Sequence, residues 1–171
     1  MRNDAIILIG MAGVGKSTIG RLLAQALCFE FTDLDEYILQ RDGKTVHQIV
    51  DEEGDEALVQ REGQRLRELD LTRRVVAPGG SIVYNPDLME WLKPRALLVY
   101  LADSFENIEK RLTNAASRGI VGFKSKSLKQ IYAEREPLYV RYADITVALQ
   151  GRPEREVARE IVSRYLQSSA S

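Results

Sequence analysis

Residues 10–17 are Gly10-Met11-Ala12-Gly13-Val14-Gly15-Lys16-Ser17, which fill every fixed position of the phosphate-binding pattern G-x4-G-K-[ST]. An apolar run at residues 5–9 precedes them and predicts a buried strand, and apolar residues at helical spacing follow. In a strand, loop and helix of this order, backbone N–H groups and the positive end of a helix surround a phosphate. The dinucleotide pattern G-x-G-x-x-G does not fit, because Lys16-Ser17-Thr18 stands where a third glycine is needed.

The composition is that of an ordinary one-domain protein. The 171 residues can enclose one core, and a net charge of −1 gives no general attraction to nucleic acid or anionic membranes. The only cysteine, Cys28, is predicted to be a small core residue on the first helix, and a lone cysteine fits a reducing compartment. With no signal peptide or membrane-length apolar run, we expect one domain over residues 1–171, cytoplasmic and monomeric, without nucleic-acid or membrane partners.

Strand-like runs alternate with helical patterns along the rest of the chain. Further strands are predicted at residues 30–32, 75–77, 96–102 and 145–149. Asn85-Pro86 predicts the N-cap and first residue of a helix, and Thr45 and Ser127 each begin a capping-box pattern. The alternation predicts the α/β class, with a mainly parallel sheet and helices on both faces. In such a sheet the ligand lies beyond the carboxyl ends of the strands.

Two carboxylates, Asp33 and Asp35, follow the second predicted strand. Residues two apart on an extended segment point the same way, so both can face the phosphate loop. One is suited to hold Mg2+ and the other to accept a hydrogen bond from a substrate hydroxyl, as a kinase base does. Alternatively, Asp35 only caps the next helix, which is predicted over residues 36–41.

Three later segments carry weaker signals. Pro78-Gly79-Gly80-Ser81 lets the backbone approach a ligand closely, although an ordinary turn explains it too. Residues 117–126, with Arg118, have the composition of a mobile lid or of a solvated loop. Arg135 can bind a carboxylate or phosphate through two parallel bonds, and Pro137 is expected to kink or end its helix.

Taken in order, these residues resemble the shikimate kinases, small P-loop kinases of aromatic amino acid biosynthesis. The resemblance runs from about residue 6 to about residue 147. Beyond the phosphate loop it rests on Asp33-x-Asp35, Gly43, Gly54, Glu62, Gly79-Gly80, Arg111, Arg118 and Arg135-x-Pro137-Leu138-Tyr139. It implies a P-loop kinase fold, with a five-stranded parallel sheet of order 2-3-1-4-5 and helices on both faces. It also implies a substrate-binding helical segment at 34–70 and a lid at 116–127.

The resemblance implies the following site roles. The nucleotide phosphates of ATP would be held by Gly13, Val14, Gly15, Lys16, Ser17 and Thr18, and Mg2+ by Ser17 and Asp33. Asp35 would orient and help deprotonate the acceptor hydroxyl, and Arg118 would approach the transferred phosphoryl group, so that Lys16, Asp35 and Arg118 form the catalytic set. Arg111 would lie beside the adenine. The carboxylate of the small-molecule substrate would be bound by Arg135 beside the backbone of Gly79 and Gly80.

The chain departs from the family pattern on the acceptor side. The family has an arginine three positions before its glutamate, and with Glu62 as that glutamate the position holds Val59. Losing such a charge-assisted contact costs roughly 1.5–3 kcal/mol, or about tenfold to hundredfold in affinity. Ser81 replaces the third glycine of the turn, and Gly119 replaces the proline that follows the lid arginine.

These departures leave the acceptor open. The best single hypothesis is phosphorylation of shikimate to shikimate 3-phosphate. The alternatives are a related kinase with a different small hydroxylated acceptor and a nucleotide-binding regulatory protein without turnover. A gluconate-type or nucleoside-monophosphate-type kinase is less favoured, because Asp33-x-Asp35 and the Arg135 motif follow the shikimate pattern.

Overall fold

A parallel β-sheet forms the centre of the computed structural model, which describes residues 4–112, 120–122 and 124–169. Its strands are β1 (Ala5–Ile9), β2 (Glu30–Asp33), β3 (Arg74–Ala77), β4 (Leu97–Ala102) and β5 (Ile145–Ala148). They lie in the order β2-β3-β1-β4-β5, and every neighbouring pair is parallel. The predicted α/β class and strand order are therefore confirmed.

The helices alternate with these strands. They are α1 (Lys16–Leu27), α2 (Leu34–Asp42), α3 (Val46–Glu53), α4 (Asp55–Arg67), α5 (Pro86–Leu92), α6 (Phe105–Leu112), α7 (Leu128–Tyr142) and α8 (Glu154–Ser169). A short 3-10 helix spans Gly80–Tyr84. In the described part of the chain, none of the helices has the length and apolar character needed to cross a membrane.

The phosphate loop follows β1, which is the middle strand of the sheet. All five of its residues are buried, as expected for a parallel strand covered by helices on both faces. The predicted helix starts are also present: the Asn85 side chain accepts a hydrogen bond from the backbone N–H of Leu88, and Thr45 and Ser127 both form capping boxes. These local signals fix where the helices begin.

One expectation from the sequence is wrong, and one of the two alternatives expected for Pro137 is excluded. Cys28 is exposed, because α1 ends at Leu27 and Cys28 takes a left-handed conformation with a φ of 54° at the C-cap. The apolar stripe of α1 therefore stops before it. Pro137 does not end its helix, since α7 continues to Tyr142. A proline removes only one helical hydrogen bond, and the buried Arg135 and Tyr139 anchor α7 on either side of it.

Helices α2, α3 and α4 fill most of the segment that the resemblance marks as substrate-binding. Arg65 of α4 joins α4 to α2, since its Nε and Nη2 donate to the Asp42 carboxylate of α2 at 3.0 and 2.5 Å. The Arg65 hydrogen bonds hold the pKa of Asp42 below its usual value. One face of α4, with Leu58 and Glu62, lines a cavity together with residues 79–81, which follow β3.

Candidate active site

The phosphate loop connects β1 to α1 in a conformation that needs its glycines. Gly13 and Gly15 have φ values of 80° and 96°, in the left-handed region that favours glycine. Lys16 is buried, and its Nζ donates to the carbonyl oxygens of Gly10 and Met11 at 2.8 Å each. Burial lowers the pKa of Lys16 to about 8, although the nearby Asp35 acts in the opposite direction.

A cleft of about 320 Å³ opens over this loop. Its walls bring together most of the residues predicted for the site, which are Gly13, Gly15, Lys16, Ser17, Thr18, Asp33, Asp35, Gly79, Gly80 and Arg111. We call it the phosphate cleft. The side chain of Val14, by contrast, is buried in the core. It packs against the backbone of Gly10, where an added Cβ would lie only 3.3 Å from Val14 Cγ2.

Asp33 performs two tasks at the end of β2. Its Oδ2 accepts a hydrogen bond from the Ser17 hydroxyl at 2.5 Å, and its Oδ1 accepts from the backbone N–H groups of Asp35 and Glu36 at 3.0 and 3.2 Å. Asp33, and not Asp35, is therefore the N-cap of α2. The helix begins at Leu34, two residues earlier than the sequence predicts, so Asp35 lies in the first helical turn and not on an extended segment.

Asp35 lies where the phosphate cleft meets a second, smaller cavity of about 50 Å³, which we call the inner cavity. Burial raises the pKa of Asp35 to about 6, with a further increase from Asp33 and an opposing effect of Lys16. The inner cavity is lined by Ala12, Asp35, Val46, Leu58, Glu62, Gly79, Gly80, Ser81, Ile120, Val121 and Arg135. The turn at residues 78–81 thus contributes its backbone to both cavities.

Arg135 forms one wall of the inner cavity and is 1% exposed. Its Nε donates to the Tyr84 hydroxyl at 3.3 Å, and its Nη2 donates to the Val121 carbonyl at 2.8 Å. The guanidinium also lies 5.1 Å from the centre of the Tyr84 ring. Contacts from Tyr84 of the 3-10 helix and from Val121 therefore hold this arginine in place.

Glu62 enters the inner cavity from α4, although the sequence assigned it no binding role. It is 1% exposed, and its Oε2 accepts a hydrogen bond from the Ser81 hydroxyl at 2.5 Å. Burial raises the pKa of Glu62 to about 8, against the Ser81 hydrogen bond. A signal was present in the sequence: Glu62 stands four residues from both Leu58 and Leu66, within an otherwise apolar helical stripe.

Val59 does not line the inner cavity. It lies on a neighbouring groove of about 330 Å³, together with Asp55, Tyr84, Val121 and Lys126 among others. Arg61 does not replace the missing cation, because its guanidinium pairs with Asp42 and Glu53.

The remaining predicted cations have different outcomes. Arg111 lines the phosphate cleft, and its Nη1 lies 3.0 Å from Oδ2 of the buried Asp103. Arg118 lies outside the described residues, as do positions 116, 117, 119 and 123 of the segment predicted to form the lid. Among the described residues of the segment predicted to form the lid, the Gly122 N–H donates to Asp55 Oδ2 at 2.8 Å, and Lys124 Nζ lies 2.5 Å from Asp51 Oδ1.

Comparison with known proteins agrees with this arrangement. The family model described as shikimate kinase matches residues 12–166. A shikimate kinase of Chromohalobacter salexigens is 41% identical over 162 residues, which cover 93% of this chain and 90% of that protein. The chain belongs to the shikimate kinase family. As a member of this family, the protein is an ATP-dependent kinase, as the sequence predicts.

Solved structures of shikimate kinases share the fold over nearly the full chain. The Acinetobacter baumannii shikimate kinase in complex with shikimate matches with a TM-score of 0.88 and 31% identity, covering 98% of this chain and 95% of that one. The Aquifex aeolicus shikimate kinase matches with a TM-score of 0.81 and 31% identity, covering 99% and 98%. The fold that the resemblance implies is therefore shared with structures of the shikimate kinase family.

Proposed function

We propose that this protein transfers the γ-phosphoryl group of ATP to the 3-hydroxyl of shikimate. The observation that carries the proposal is the junction of the two cavities: the phosphate cleft and the inner cavity share Asp35, Gly79 and Gly80. A hydroxyl bound beside Asp35 would thus lie next to the phosphates held by the loop. Such positioning is the main contribution of a protein to phosphoryl transfer.

The phosphate loop and the start of α1 bind the nucleotide. The phosphate cleft is lined by Gly13, Gly15, Lys16, Ser17 and Thr18, where backbone N–H groups of the loop would bind the phosphates, and the helix end adds its positive dipole. Lys16 exchanges its two carbonyl contacts for the β- and γ-phosphates when ATP binds. Arg111 lies at the edge of this cleft, where it would contact the adenine, and we assign Arg118 to the transferred phosphoryl group.

The residues Ser17 and Asp33 fit a magnesium ion. Their hydroxyl and carboxylate oxygens already lie 2.5 Å apart in the phosphate cleft, and oxygen is the donor that this cation requires. Two protein ligands are enough for Mg2+, since it is usually held by one or two protein side chains together with phosphates and water. When bound there, Mg2+ would supply positive charge that stabilises the negative charge developing on the phosphates during transfer.

Asp35 orients the acceptor hydroxyl and accepts its proton as the phosphoryl group is transferred. Arg135, with the backbone of Gly79 and Gly80, binds the acceptor carboxylate. Residues 34–70 then bind the acceptor, and residues 116–127 form the lid that excludes water during transfer. We further propose that residues 1–171 act as one domain and as a cytoplasmic monomer, without nucleic-acid or membrane partners.

The test is ADP release from MgATP, measured with and without shikimate up to several millimolar. We expect a saturable increase with shikimate. Gluconate serves as a control acceptor, since it has a carboxylate and hydroxyls on an open chain and should give no increase. ATP binding without a response to shikimate would contradict the proposal and favour a different acceptor or a regulatory protein without turnover.

A further inference from the structure

Two departures from the family pattern meet at one side chain, Glu62. Position 59 lies three residues before Glu62 on α4, so residues at the two positions are neighbours on the helix surface. It holds valine where the family has arginine. Ser81 stands where the family has glycine, and its hydroxyl donates to Glu62 Oε2 at 2.5 Å. The cation is thus absent on one side of Glu62, and a hydroxyl donor is present on the other.

The hydroxyl of Ser81 gives the Glu62 carboxyl a hydrogen-bond donor where Val59 provides none. Glu62 and Ser81 are 1% and 4% exposed, and a buried carboxyl is costly unless it is hydrogen-bonded. Among the described residues, no buried side-chain nitrogen or oxygen lacks a hydrogen-bond partner. The proton that burial keeps on Glu62, whose pKa is raised to about 8, further reduces the need for a cation at position 59.

The second oxygen of Glu62 lies beside the reaction centre. A Cβ built on Gly79 would overlap Glu62 Oε1 and would lie 3.7 Å from Asp35 Oδ1. The two carboxyl groups therefore face each other across Gly79, and both line the inner cavity. Oε1 is next to the place where Asp35 would meet the acceptor hydroxyl.

We propose that Ser81 and Glu62 form one polar unit that binds a ring hydroxyl of the acceptor and determines acceptor specificity in place of a cation at position 59. The proposal rests on the proposed function and names its substrate class: a small polyhydroxylated ring recognised mainly through its hydroxyls. Among the described residues that line the inner cavity, Arg135 alone carries a cationic side chain. The protein therefore depends less on the carboxylate of the acceptor than a shikimate kinase with arginine at this position.

A double-mutant cycle between positions 59 and 81 tests the polar unit. The proteins are the unchanged chain, Ser81→Ala, Val59→Arg and the double variant, and KM for shikimate, KM for ATP and kcat are measured for each. Ser81→Ala should raise KM for shikimate about tenfold, because Glu62 loses its donor, and should leave KM for ATP unchanged. In the Val59→Arg background the same change should be less than about threefold, because the arginine then pairs with Glu62. Equal effects in both backgrounds would overturn the proposal.

A neutral analogue tests the specificity. The primary amide of shikimate has nearly the same shape as shikimate without its charge. Val59→Arg should raise the preference for shikimate over the amide, measured as the ratio of kcat/KM values, at least about tenfold. Gln60→Arg adds the same charge at the adjacent exposed position and should leave the ratio unchanged. A ratio that is equally high in the unchanged protein would contradict recognition through hydroxyls.

Failure of the proposed function can be separated from failure of this inference. If no ADP release depends on shikimate in any variant, the proposed function is wrong. The same four proteins are then compared by thermal unfolding without ligand. A lower midpoint for Ser81→Ala in the native background only would support the Ser81–Glu62 unit, whereas equal shifts in both backgrounds would overturn it.

Discussion

Asp35 is the residue on which the proposed chemistry depends most directly. Its carboxylate lies at the junction of the two cavities, and its position on α2 is fixed by Asp33. We expect Asp35→Asn to lower kcat about 10²–10⁴-fold, because an amide cannot accept the proton of the acceptor hydroxyl. ATP affinity should stay within about threefold, since the phosphate loop is intact. Steady-state kinetics and ATP titration check both; a collapse of ATP affinity would mean that Asp35 organises the cleft.

Glu62 should make the stability of the protein depend on pH. Its pKa is raised from 4.5 to about 8 in the folded chain, so the native state holds a proton between these values that the unfolded state has lost. The free energy of unfolding should therefore fall as pH rises from about 4.5 to 8, by up to about 1.4 kcal/mol per pH unit.

The charged and titratable groups that face Glu62 also contribute to any pH profile, and they are Lys16, Asp35, Arg135 and Tyr139. The free energy of unfolding is measured with denaturant for the protein and for Glu62→Gln across this pH range. The difference between the two profiles gives the contribution of Glu62. Parallel profiles for the two proteins would show that Glu62 is ionised in the native state.

At the scale of the element, α7 is unusual in having a proline in its interior. Pro137 lies inside it and is exposed, with helical residues on both sides. We expect Pro137→Ala to raise the free energy of unfolding by about 1–3 kcal/mol, because alanine restores the missing N–H and removes the ring clash. Lys129→Ala, at an exposed position of the same helix, is the control and should change stability by less than about 0.5 kcal/mol. No gain for Pro137→Ala would mean that the surrounding structure already compensates for the missing hydrogen bond.

The elements also show which parts of the structure could be predicted from sequence. The start of α3 at Thr45 and that of α7 at Ser127 depend on residues three apart, and such local rules are visible in the sequence. The strand order followed from the family resemblance. The first turn of α2 was not predicted, because one carboxylate, Asp33, serves both as the cap and as a partner of Ser17.

The wall of the inner cavity could not be predicted by local rules. Arg135 is held by Tyr84, which is 51 positions away in sequence, and by Val121, which is 14 positions away. Contacts of this kind depend on how the elements pack, and no spacing in the sequence indicates them. Glu62 was predictable in part: its place in an apolar helical stripe indicated that it is buried, but nothing in the sequence indicated that Ser81 is its partner.

At the scale of the whole molecule, ligand binding and folding are linked through Asp33. This residue joins β2, α2 and the phosphate loop, so an ion held there stabilises three elements together. Any ligand that binds only the native state stabilises it, by about 2.7 kcal/mol at 100 times its Kd. MgATP should therefore raise the unfolding midpoint more than ATP in the presence of a chelator.

Asp33→Asn tests this linkage without destroying the helix start. Asparagine is as good an N-cap as aspartate, so the variant should unfold within about 0.5 kcal/mol of the unchanged protein when no ligand is present. It lacks the carboxylate, so the extra stabilisation by Mg2+ over ATP alone should largely disappear. Asp87→Asn, an exposed acid in the first turn of α5, is the matched control and should keep the full magnesium effect. Because the readout is unfolding, it needs no acceptor; an undiminished magnesium effect in Asp33→Asn would place the ion on other ligands.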